Sequence, residues 1–121
     1  MKYLFIICIL FWNLTVITVA APDKSEVMKL LEGRHWKLDV ESFQLLGNDT
    51  DKVLIEIGGD TSLINYLRFR ALDALSLFPT ETAATFLETT AKKEFAPLAR
   101  RGFEALKRSF AKTQPERVKQ L

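Results

Sequence analysis

An all-α fold is predicted for this chain: an α-α superhelix of about three helical hairpins in residues 21–121, behind a separate N-terminal segment. Three observations predict it. First, a stretch recurs. Leu67-Arg68-Phe69-Arg70-Ala71-Leu72-Asp73-Ala74-Leu75 aligns with Leu98-Ala99-Arg100-Arg101-Gly102-Phe103-Glu104-Ala105-Leu106, identical at four of nine places, with Asp73/Glu104, Leu72/Phe103 and Ala71/Gly102 alike. Second, a fainter copy upstream sets residues 40–47 against 72–79, and its register carries Leu54-Ile55-Glu56 onto Phe86-Leu87-Glu88. Third, apolar residues within the copies return at helical spacing. One hairpin cannot bury its own apolar face, so neighbours at a fixed period must stack.

The elements follow in chain order. Residues 25–31 form a short leading helix, stopped at Gly33. Residues 36–46 form a helix with Val40, Phe43 and Leu46 inward, and Gly47-Asn48-Asp49-Thr50 is a turn and cap. Residues 53–59 have strand composition, Val53-Leu54-Ile55-Glu56-Ile57. The repeat register says helix, and a lone strand would find no partner, so a helix is expected. Thr61 or Ser62 caps the next helix, whose stripe is Ile64, Leu67, Ala71, Ala74, Leu75 and Phe78, with Arg68, Asp73 and Ser76 off it. Pro79 ends that helix. Thr80 caps another, with Ala83, Phe86, Leu87 and Ala91 inward. Ala96-Pro97 opens the third unit, with inward Leu98, Gly102, Phe103, Ala105, Leu106 and Phe110. Gln114-Pro115 begins a short last helix with Val118 and Leu121 as its apolar positions.

The chain has 121 residues, 48% hydrophobic and 26% charged, which suits one globular domain and excludes a disordered or disulfide-framework protein. The N-terminus differs from the rest. Lys2 precedes an apolar run from Leu4 to Val19, and Thr18-Val19-Ala20 offers small residues for a cut after Ala20. This is the layout of a secretory signal peptide over residues 1–20. The run is short for the ~20 residues of a spanning helix, so an uncleaved anchor is the lesser alternative. Export, to the periplasm or outside the cell, is the expected destination.

Chemistry is sparse. His35 is the sole histidine, and the sole cysteine, Cys8, lies within the apolar run. No His pair or mature thiol is therefore available for acid–base, nucleophilic or metal work, and neither a catalytic residue nor a cofactor is expected. Residues 91–121 hold nine basic residues against three acidic. Their Arg100, Arg101, Lys107, Arg108 and Lys112 form a candidate basic patch for a membrane surface or an acidic partner. Export makes nucleic acid the least favoured partner. Lys52, Glu56 and Glu88, with His35 and Trp36 at the start of the array, are candidate partner-binding residues. Arg70 and Arg101 share one repeat position. Each can pair locally with the acid three residues on, but a reach from Arg101 to Asp73 in the preceding layer is preferred, because small residues beside it bring helices close.

Arg70-Ala71-Leu72-Asp73-Ala74-Leu75 and Arg101-Gly102-Phe103-Glu104-Ala105-Leu106 resemble the first-helix pattern of HEAT-like repeats, including the short repeats related to phycobilisome-lyase proteins. The resemblance covers about residues 36–121. It implies an α-α superhelix whose second helices line a concave binding face, and it implies no single activity. The first copy departs from the pattern, with Leu38 at the arginine place and Ser42 at an alanine place. The function expected is a non-catalytic adaptor or accessory subunit binding a protein or peptide. The alternatives are a lyase-like chaperone for a small molecule and a membrane-surface protein.

Overall fold

A computed structural model describes residues 21–121, and the expected signal peptide lies outside them. The described chain is all helical. Its elements are α1 (Lys24–Leu31), α2 (Val40–Leu45), α3 (Thr50–Gly59), α4 (Asn65–Leu75), α5 (Glu81–Lys93), α6 (Ala96–Phe110) and α7 (Pro115–Lys119). None of these helices is long and apolar enough to cross a membrane.

Local chemistry sets several boundaries as expected. Residues 53–59 are helical despite their β-branched composition. The Thr80 side chain accepts from Ala83 N (3.1 Å) and starts α5. The same hydroxyl donates to buried Asp51 of α3 (2.7 Å), so one cap also ties two helices together.

Other boundaries differ from the sequence expectation. The helix expected over 36–46 begins only at Val40, because Asp39 caps it through Ser42 N (3.1 Å). Residues 33–39 are an irregular connection with positive φ at Gly33 (104°) and His35 (53°). Val40, expected inward, is exposed, whereas Phe43 is fully buried. Neither Thr61 nor Ser62 caps α4. Asp60 instead takes Ser62 N (2.9 Å) in a tight turn, and α4 starts at Asn65 without a side-chain cap. Ile64, placed on the core stripe, is 65% exposed as the residue before the helix. At the other end α4 stops at Leu75, before Pro79, in a turn closed by Leu77 N to Ala74 O and Phe78 N to Leu75 O.

The largest correction concerns α4 itself. Arg68 and Asp73, assigned off the apolar stripe, are both buried. Helix α4 packs against α3, α6 and α1, so little of its circumference is left for solvent. Arg68 Nε donates to Gly58 O (2.9 Å), satisfying a carbonyl that the end of α3 leaves open. Its Nη2 meets Glu94 of the α5 C-cap at 3.4 Å.

The tight pairs are α3 with α4 and α5 with α6, each joined by a short loop. The expected hairpins, phased one helix later, are therefore corrected: α4 belongs with the helix before it rather than with α5. The pairs then meet through α4 against α6 and α3 against α5. Leu67/Leu98, Ala71/Gly102, Ala74/Ala105 and Leu75/Leu106 are buried at both copies, so the sequence register marks equivalent core positions. Gly102 faces α5, where an added Cβ would stand 3.0 Å from Thr90 Cγ2 and 3.3 Å from Leu87 O. Helix α1, rather than the 36–46 segment, covers the free side of α3 and α4. At the far end Arg117 of α7 bonds Glu81 and Glu88 of α5 and lies over the Phe110 ring (5.6 Å).

Candidate functional site

A cleft of ≈ 370 Å³ opens along α4 between the 33–39 connection and α6, lined by Trp36, Tyr66, Phe69, Arg70, Asp73 and Arg101. Trp36 comes from the irregular 33–39 connection. Its indole N–H donates to Leu30 O (2.8 Å), which fixes the ring against the end of α1. Tyr66, Phe69, Arg70 and Asp73 are spaced three or four apart along α4 and so share one face. Arg101 projects from α6.

Arg70 is held by the main chain. Nη1 donates to Leu31 O (2.7 Å) and Gly33 O (3.0 Å), so the side chain also closes the C-terminus of α1. Its guanidinium lies 4.7 Å from the Tyr66 ring centre and 5.3 Å from that of Trp36, a cation between two aromatic rings. Among the described residues its hydrogen bonds run through Nη1 alone, leaving Nε and Nη2 without a partner.

Arg101 occupies the equivalent place one unit later. Nη1 donates to Asp73 Oδ2 (2.8 Å), and the guanidinium stands 5.4 Å from the Phe69 ring centre. Phe69 in turn meets half-exposed Phe95 at 6.3 Å. Thus each recurrent arginine combines an anchor on the preceding element with an aromatic neighbour. The expected cross-layer contact from Arg101 to Asp73 is present.

Asp73 is the site's strained member electrostatically. Burial pushes its carboxyl above the usual range, and Arg101 and Arg108 draw it back. Its Oδ1 is buried and bonds no donor among the described residues. The cleft thus holds two permanent cations, one costly buried carboxylate and three aromatic walls.

Of the sequence candidates, Trp36 and Arg101 come together here. His35 is exposed and absent from the lining. Lys52 is exposed and pairs with Asp49 (3.2 Å). Glu56 pairs with Lys24 of α1 (3.2 Å), whereas Glu88 pairs with Arg117 of α7, so the two acids serve different ends of the domain. Arg100, Lys107, Arg108 and Lys112 are exposed on or just after α6, outside the cleft. Lys107 instead borders an apolar groove of ≈ 440 Å³ between α6 and α7, with Phe103, Pro115 and Val118.

Tyr66, Phe69, Arg70 and Asp73 were not picked as partner-binding residues. The available signal was the recurrent arginine with aromatics one and four residues before Arg70. Trp36 joins them only through the path of the 33–39 connection. No protein-family model, curated protein or solved structure matches this chain.

Proposed function

We propose that this chain is an exported, non-catalytic helical-repeat protein of HEAT-like type that binds a protein or peptide partner. The observation that carries the reading is the cleft, where two arginines at one repeat position present aromatic-backed guanidinium groups. Arginine and large aromatics concentrate binding energy at protein interfaces, the aromatics because they bury much area at low loss of side-chain freedom and arginine because its planar fork forms several oriented hydrogen bonds. The repeat register supports the superhelical reading, since the arginines and small residues recur on α4 and α6 at a fixed offset. A non-catalytic role is favoured because the only carboxylate of the cleft is tied to Arg101 and the sole histidine, His35, is not part of its lining. Export rests on the signal-like residues 1–20.

A photo-reactive benzoylphenylalanine tests the reading when placed at Tyr66 in the full chain, with Lys52 as the control position. The expected result is a discrete cross-linked species from position 66, lost when Arg101→Gln is added. Equal cross-linking from both positions, insensitive to Arg101, would leave the cleft without a partner.

A further inference from the structure

We infer that the Trp36/Arg70/Arg101 cleft binds a carboxylate of a peptide, the anion lying between the two guanidinium groups and the peptide backbone against Trp36, Tyr66 and Phe69. This rests on the partner-binding reading above and adds the chemistry that would be recognised.

The charge and geometry of the cleft select that ligand. Both guanidinium groups are restrained at one edge, Arg70 by two carbonyls and Arg101 by Asp73, so their remaining N–H donors are already oriented. A planar fork of donors matches a planar carboxylate. Among the lining residues Arg70 and Arg101 set against Asp73 leave one net positive charge, which a monoanion neutralises, while Arg108 stands outside the lining but near enough to act on Asp73. A phosphate carries up to two charges at neutral pH, and the second would face the Asp73 carboxylate.

The walls of the cleft point the same way. The Asp73 side chain is 9% exposed and bonded to Arg101, so the charge open to a ligand is that of the two arginines. The aromatic walls suit the flat, partly apolar peptide unit. Two sources share this chemistry, a free C-terminus and an Asp or Glu side chain.

The test titrates ¹⁵N-labelled full chain with four probes. These are N-acetyl-tetra-alanine with a free carboxylate, the same peptide as its C-terminal amide, amidated N-acetyl-Ala-Glu-Ala, and inorganic phosphate. The readout is the shift of the Trp36 indole and of the Arg70 and Arg101 Nε–H signals. Saturable shifts are expected with at least one carboxylate peptide and not with the neutral amide. The free-acid peptide acting alone identifies a C-terminus, and the glutamate peptide acting alone identifies a side chain. Arg101→Gln and Arg101→Lys should each weaken binding by about tenfold or more, since both lose the planar fork. Lys112→Gln, which removes a charge outside the cleft, should change it by less than about twofold.

Equal binding of the neutral amide, tighter binding of phosphate, or no response to Arg101→Gln in a protein with an otherwise native spectrum would each overturn the inference. Cross-linking from Tyr66 without carboxylate binding would keep the partner and discard this chemistry. Carboxylate-peptide binding without any cross-link would keep this chemistry and discard the larger protein partner.

Discussion

Arg101 on α6 donates to Asp73 on α4 at 2.8 Å, although Glu104 lies three residues along its own helix. The exposed arginine reaches across layers to a carboxylate that is 9% exposed. Arg70 does the same one unit earlier, reaching the end of α1 through Leu31 O and Gly33 O. Both arginines therefore bond an element other than their own helix, while their local neighbours in sequence are left to solvent or other partners.

That contact is measurable by a double-mutant cycle. Arg101→Ala and Asp73→Ala should couple by about 1 kcal/mol, between the values typical of exposed and of buried pairs. Arg101→Ala and Glu104→Ala should couple by less than about 0.3 kcal/mol. Chemical denaturation of the four variants supplies both numbers, and the reverse ranking would restore the local pair.

Asp73 also sets a pH signature. Its folded pKa is raised by burial, so its favourable contribution is complete below the unfolded carboxylate value and is lost as pH rises through the folded value. Asp73→Asn removes this titration. The stability of the Asn variant relative to wild type should therefore be higher at pH 7 than at pH 3.5. Asp39, Asp60 and Glu81, whose values are lowered by hydrogen bonds from Ser42, Ser62 and Arg117, act oppositely and are common to both proteins. Denaturation of both proteins at the two pH values checks the sign.

Gly102→Ala opposes two effects. Alanine favours helix over glycine by ~1 kcal/mol. Its Cβ would stand 3.0 Å from Thr90 Cγ2 and 3.1 Å from Thr90 Cβ, and Thr90 is buried with its hydroxyl bonded to Phe86 O at 2.9 Å. That side chain has no free direction in which to yield. A net destabilisation of roughly 1–2 kcal/mol is expected, as for overpacked cores. A raised melting temperature would show that α5 and α6 separate easily.

Leu75 and Leu106 are both fully buried at equivalent positions. Leu75→Ala should cost roughly 2–5 kcal/mol, a large share of a domain stability of ~5–10 kcal/mol. Ile64→Ala, at a position 65% exposed, should stay within about 0.5 kcal/mol. Thermal melting of the two variants separates the core register from its exposed extension.

The N-terminal expectation is settled by mass. Cleavage of the proposed signal peptide should leave a protein that begins at Ala21, and an intact mass that includes residues 1–20 would support an anchor instead.

Helix content, the Thr80 cap, the last two helix starts and the buried pairs Leu67/Leu98, Ala71/Gly102, Ala74/Ala105 and Leu75/Leu106 were legible in the sequence, because caps, prolines and apolar spacing act within one helical turn, whereas Leu72 is fully buried off the expected stripe and Phe103, expected inward, is half-buried. The burial of Arg68 and Asp73 was not. Their partners, Gly58 O and Arg101, lie 10 and 28 residues away, and polarity alone argued for solvent. Likewise the recurrence in sequence did not say which helices pair, since a translation along the chain leaves its phase open. Packing decided that phase, setting α3 on α4 and α5 on α6. The cleft came with it: Arg70 and Arg101 carry the same signal in sequence, but they share a site with Trp36 only because α1 packs on α4 and the Leu31 and Gly33 carbonyls hold Arg70 in place. A side chain's local chemistry is written in its neighbours along the chain. Its environment is written by distant elements that compete to cover it, and only the folded arrangement decides which of them does.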